Sequence, residues 1–189
     1  MSRIVKYPDS ILRSKTKIIK GVTKKILLEM IDLADTLNLA ENGAGLAAPQ
    51  IGLSERFFGI KDVKSKETTI LINPKIVKTF GKLEYPRIVG ENGKEEDFLE
   101  GCLSFSDYYG SVKRFIKIEA AWSEIVDKKM INKKAELNGF EAIVFQHELD
   151  HLNGIVFVDH VKEEGGKFYK QMGKEMVKWS VEKVIEGMC

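Results

Sequence analysis

Apolar residues recur at helical spacing early in the chain. Leu27, Met30, Ile31, Ala34 and Leu37 form one face of a predicted helix running from a Thr23 cap to about Leu39, and Asn42-Gly43 ends it. The period then changes. Residues 56–62 and 69–77 read as strands on either side of a polar stretch at 63–67. Residues 80–97 carry Gly81, Pro86, Gly90 and Gly93 and read as a long irregular excursion. Ile116, Ile118, Ala120 and Trp122 alternate with Lys117, Glu119 and Ala121, the mark of a half-buried strand, and residues 128–137 suggest another. Residues 140–145 are almost continuously apolar and predict a buried helix between an Asn138-Gly139 turn and an Asn153-Gly154 stop. A short apolar run follows at 155–158. Gly165-Gly166 then breaks the chain ahead of a final helix, about 168–187. The strands gather before the central helix without βαβ alternation. The expected class is α+β: mixed or antiparallel strands packed around a central helix, plus a C-terminal helix. With no repeat or linker in view, residues 1–189 are expected to form a single domain.

Composition narrows the function classes. Hydrophobic residues at 43% and charged residues at 31% suit a soluble globular protein. No apolar stretch approaches a membrane span, and residues 1–9 lack the apolar core of a secretory signal. A formal net charge of +2 gives no field that would recruit DNA. The lysine-rich first thirty residues read as a solvated surface. Cys102 and Cys189 make no disulfide framework, so a reducing, cytoplasmic setting is expected.

The chemistry concentrates in the buried helix. His147-Glu148-Leu149-Asp150-His151 is an H-E-x-x-H run, and the chain has only 3 histidines. On a helix the two imidazoles project from one face, one turn apart, where both can bind one metal ion. Glu148 lies next to the first of them and can accept a proton from water activated there. Two satisfied core histidines would be the bland alternative. The apolar flanks argue otherwise, because a buried helix needs a reason to hide such polar groups.

A catalytic metal site commonly has three protein ligands. His160 is one candidate for the third, and Cys102, within Glu100-Gly101-Cys102-Leu103-Ser104, is another. A third segment of interest is Gly43-Ala44-Gly45-Leu46-Ala47-Ala48-Pro49-Gln50. Its small residues leave backbone groups open, so an extended peptide could add to it as a strand. Turn geometry alone would also explain its glycines. It lacks the Lys-Ser/Thr ending of a phosphate loop.

Taken together, these segments resemble peptide deformylases, recognised by G-x-G-L-A-A-x-Q, E-G-C-L-S and Q-H-E-x-D-H in that order. Here they stand at Gly43 to Gln50, Glu100 to Ser104 and Gln146 to His151, and residues 4–13 look like the family's start. The resemblance spans roughly residues 4–161 and is far more specific than any one motif. It implies removal of formate from N-formyl-methionine at the start of nascent polypeptides. It also implies metal ligands Cys102, His147 and His151, leaving His160 outside any motif. Glu148 becomes the acid/base, with Gln50 and the Leu103 backbone N–H at the developing oxyanion. The edge of Gly43, Ala44, Gly45 and Gly101 becomes the peptide site. Ferrous iron is the implied ion, with zinc or nickel as substitutes; a thiolate ligand makes a redox-active metal plausible. Ile143 and Val144, one turn before His147, are expected to wall a pocket for the methionine side chain. Glu100 and Arg114 are expected to pair behind the Cys102 segment.

Three departures lie along the peptide edge. The family continues E-G-C-L-S-x-P, but Ser106 takes the place of the proline. Tyr109 stands where a basic residue is common, and Ala44 replaces a branched residue. They keep two other readings open: a related metalloamidase with a different N-acyl preference, and a non-catalytic peptide-binding homologue. Intact Glu148 argues against the latter. The lysines of the expected C-terminal helix (Lys167, Lys170, Lys174, Lys178 and Lys183) could dock on ribosomal RNA, although lysines facing water are the plainer expectation.

Overall fold

Residues 2–62, 64–90 and 93–187 are described by a computed structural model of the chain. Helix α1 (Lys24–Leu39) is capped by Thr23, whose side chain accepts from the Ile26 N–H. Strands β1 (Gly45–Ala47), β2 (Phe57–Lys61) and β3 (Thr68–Phe80) follow. Next come a small hairpin, β4 (Arg87–Val89) with β5 (Glu95–Asp97), and the pair β6 (Glu100–Cys102) and β7 (Phe105–Gly110). The long hairpin β8 (Lys117–Val126) and β9 (Lys129–Asn138) leads into α2 (Phe140–Leu152) and α3 (Phe157–Glu164). The described chain ends with β10 (Phe168–Met172), β11 (Glu175–Lys178) and α4 (Val181–Gly187).

Two antiparallel sheets carry the architecture: five strands ordered β1-β2-β3-β8-β9, and four ordered β11-β10-β7-β6. Strand alternation divides the first sheet's side chains between two cores. Leu46, Phe57 and Ile72 pack with Met30, Leu33 and Leu37 of α1. Their neighbours Ala47, Phe58 and Leu71 pack with Ala142, Phe145, Leu149 and Leu152 of α2. A third core joins Phe105 of β7 and Phe168 of β10 to Phe157 and Val161 of α3. Each fully buried Phe or Leu contributes roughly 1.5–3 kcal/mol. Helix α2 is buried on nearly every side, as the continuous apolar run predicted. Gly139 precedes it at φ 54°, a left-handed conformation that favours glycine.

The α+β class is as expected, but several local readings need correction. The C-terminal helix predicted for 168–187 is instead a hairpin followed by a helix at Val181–Gly187. Met172 and Glu175 pair across Gly173-Lys174, with Gly173 at φ 65°, so a two-residue turn reverses the chain where a helix had been expected to continue. The short apolar run after α2 opens α3, and the irregular excursion contains β4 and β5. On α1 the buried face runs through Met30, Leu33, Thr36 and Leu37. Ile31, expected inside, is 56% exposed because the sheet meets the helix about one position further round.

Candidate metal centre

Cys102 at the end of β6 faces His147 and His151 of α2, and one possible ligand atom from each lies within 4.8 Å of the others. The sulfur is 3.2 Å from His151 Nε2. His160, the competing third ligand, is elsewhere: its Nε2 sits 2.9 Å from Asp150 Oδ2. Helix α3 sets it against the Asp150 carboxylate instead, with Glu164 Oε1 3.7 Å from its Nδ1.

Behind the cluster lies a buried ion-pair network. Glu100 receives Arg114 Nε at 2.7 Å and Nη2 at 3.0 Å, the pair expected from sequence. Its Oε2 also lies 2.8 Å from His147 Nδ1. Burial alone would raise the Glu100 carboxyl, but the Arg114 charge and the bonds from Arg114 and His147 outweigh it and hold the group at about 2. An ionised Glu100 can only accept, so Nδ1–H donates and Nε2 is left for the cluster. Arg114 also reaches Asp150 at 2.6 Å.

The donor set fits a metal ion. Burial pushes the Cys102 thiol up, yet His151 and His147 bring it down to about 5, so sulfur presents as thiolate. The site favours positive charge between sulfur and imidazoles, which a divalent cation supplies. One thiolate and two imidazoles suit zinc or ferrous iron.

Glu148 is 3% exposed, and its Oε2 has no hydrogen-bond partner. Burial, its largest influence, lifts the carboxyl to about 7. It faces Gly45 so closely that a Cβ there would lie 2.5 Å from Glu148 Oε1. Glycine at that position is therefore a packing requirement. Gln50 accepts from the Ala47 N–H at 2.8 Å and points its amide at Ser104 Oγ (3.3 Å) and Cys102 Sγ (3.5 Å). This aims an N–H₂ donor at the cluster.

A cleft of about 390 Å³ opens over these groups. Gly43, Ala44, Gly45, Gln50, Gly101, Cys102, Leu103, Ile143, Val144, His147 and Glu148 all line it. The cleft thus gathers the predicted site residues except His151, which lies fully buried beneath. Gly43 has a further role, because a Cβ there would come within 2.9 Å of Leu37 Cδ1 and 3.2 Å of Leu103 Cδ1. Sequence reading missed four participants. Phe98 and Phe140 line the cleft edge to face, with ring centroids 6.0 Å apart. Phe140, one turn before Ile143 and Val144, carried the same helical signal. Lys6 donates to Leu103 O and Ser106 Oγ, each at 2.7 Å, and fixes the turn after the Cys102 strand; the sequence placed it in the segment resembling the family's start but gave it no role. Asp150, which the family motif contains but to which the sequence reading gave no role, joins Arg114 to His160.

A half-buried thiolate and two buried imidazoles beside a carboxyl with a raised pKa, reached through an open cleft, mark a metallohydrolase. The polypeptide deformylase family model matches residues 1–167, so the chain belongs to that family of hydrolytic enzymes. A peptide deformylase of Desulforudis audaxviator is 38% identical over 157 residues, covering 83% of this chain and 91% of that protein. One from Aquifex aeolicus is 38% identical over 169 residues, covering 84% and 86%. The crystal structure of peptide deformylase from Thermotoga maritima superposes with a TM-score of 0.71 at 31% identity, covering 85% of this chain and 97% of that one. No described helix is long and apolar enough to cross a membrane.

Proposed function

We propose that the chain hydrolyses the formamide of N-formyl-methionyl peptides, releasing formate and a free amino terminus. The observation that carries this reading is the raised, unpartnered carboxyl of Glu148 at the cleft floor beside Cys102, His147 and His151. These three side chains would hold the metal. When bound, the ion supplies Lewis acidity at neutral pH. The thiolate in the ligand set favours ferrous iron as the resident ion, with zinc or nickel as substitutes.

The remaining roles fall to the chain itself. Glu148 takes a proton from the attacking water and delivers it to the departing amine nitrogen; a carboxyl near 7 suits both transfers at neutral pH. Gln50 Nε2 and the Leu103 N–H donate to the oxygen that gains charge as water adds to the formyl carbon. Gly43, Ala44, Gly45 and Gly101 offer backbone to an extended nascent peptide. Ile143 and Val144, with Phe98 and Phe140, receive the methionine side chain.

Formate release from formyl-Met-Ala-Ser, compared with acetate release from acetyl-Met-Ala-Ser, tests the reading. The formyl peptide is expected to be cleaved and the acetyl peptide to be a poor substrate. Preference for acetyl would identify a different amidase.

A further inference from the structure

The outer lip of the cleft is built differently from its floor. Strand β6 ends opposite a bulge in β7: Gly101 pairs with Tyr109, but the next residue, Cys102, pairs with Phe105. Ser106, Asp107 and Tyr108 have no partner on β6, although Tyr108 still pairs with Lys170 of β10, and Asp107 is left-handed at φ 67°. Lys6 pins the bulge through Ser106 Oγ. On the far side β10 pairs with β7, placing Tyr169 opposite Tyr109.

Tyr109 lies across Gly101. A Cβ on Gly101 would sit 2.9 Å from Tyr109 Cε1, so the ring covers the place a side chain would fill. Its hydroxyl donates to Gln171 Oε1 on β10 at 3.1 Å. The ring is half-buried and forms part of the cleft wall. Asp107 lines the same wall and is exposed, with no hydrogen-bond or ion-pair partner among the described residues.

We infer that Tyr109 is a specificity-determining residue: its ring is the surface against which a side chain one or two residues after the formyl-methionine packs, favouring aromatic residues, while Asp107 disfavours acidic ones. The inference rests on the deformylase reading and deepens it. An aromatic ring supported on its back by glycine backbone and at its hydroxyl by Gln171 loses little freedom when a second ring stacks on it. Asp107 adds repulsion that operates only on a negatively charged side chain and weakens with salt.

The test uses metal-loaded enzyme, with metal content measured for every variant, and formyl-Met-Xaa-Ser and formyl-Met-Ala-Xaa peptides with Phe, Ala or Glu at Xaa. In at least one series wild type should prefer Phe over Ala by roughly 3–10-fold in kcat/KM, the scale of one aromatic contact. Tyr109→Ala should abolish that preference, mainly through KM, and Tyr109→Phe should largely restore it. Gly101→Ala, which drives a Cβ into the ring, should copy Tyr109→Ala. Asp107→Asn should raise the Glu peptide towards the Ala peptide and leave the Phe preference in place. Met172→Ala, exposed beside Gln171, serves as the control and should change neither ratio. A Phe preference that survives Tyr109→Ala, or that wild type lacks in both series, overturns the inference while formate release continues. Absence of formate release from every peptide instead overturns the deformylase reading beneath it.

Discussion

Glu100 and His147 are joined by a 2.8 Å contact between Oε2 and Nδ1, and both groups are buried. The bond fixes the imidazole tautomer, and Arg114 holds Glu100 in its ionised form. The candidate metal cluster is thus braced by two side chains that do not belong to it.

Removing Arg114 tests that dependence. Arg114 is 4% exposed, so Arg114→Met leaves Glu100 and Asp150 without their buried cation and should destabilise the fold by roughly 3–5 kcal/mol. Glu100→Gln should fold more readily than that variant but bind metal about 10–100-fold more weakly. Denaturant unfolding and competitive chelation measure the two effects. Unchanged metal affinity in Glu100→Gln would remove Glu100 from its supporting role.

Cys102→Ser tests the ligand set. A hydroxyl substitutes poorly for a thiolate, so the variant should keep the fold but hold zinc or ferrous iron more weakly and work more slowly. His151→Ala should lose bound metal altogether. Stoichiometric, tightly held metal after either change would contradict the assignment.

Gly45→Ala should disable turnover without removing metal. Its Cβ would meet Glu148 Oε1 at 2.5 Å and must displace a carboxyl that has little room to move. A displacement of about 1 Å from reacting geometry can cost roughly 10²-fold. Normal kcat in a folded, metal-loaded Gly45→Ala enzyme would mean that Glu148 need not stand where it does.

His160 gives a pH signature of stability. The hydrogen bond to Asp150 raises its pKa, with burial opposing; Arg114 and Glu164 are the other charged groups facing it. A pKa raised by folding gives stability that is fully present below the unfolded value of about 6.5 and is lost as pH rises through the folded value. His160→Gln should therefore cost more near pH 6, by roughly 1 kcal/mol, than near pH 9. Unfolding of metal-loaded wild type and variant at both pH values measures the difference. An equal cost at both would show that the charge on His160 adds nothing.

Much of this site was legible because its chemistry is packed into local patterns. The continuous apolar run of α2, its Gly139 start and its spaced histidines are all short-range signals. The C-terminal hairpin was misread because evenly spaced lysines between apolar residues also fit a helical face, while one residue, Gly173, decided the turn. The exposure of Ile31 depends on how the sheet docks against α1, a tertiary fact with no local trace. Lys6 reaches across 97 positions to Leu103 O, and only folding reveals such a contact.

The central claim is that Glu148 transfers the proton in formamide hydrolysis at this site. The direct measurement is formate release from formyl-Met-Ala-Ser by metal-loaded wild type and Glu148→Gln, with metal content determined on the same samples. Wild type should turn over, and the variant should keep its metal while slowing by ~10²–10⁴-fold. Near-wild-type turnover in metal-loaded Glu148→Gln would contradict the account.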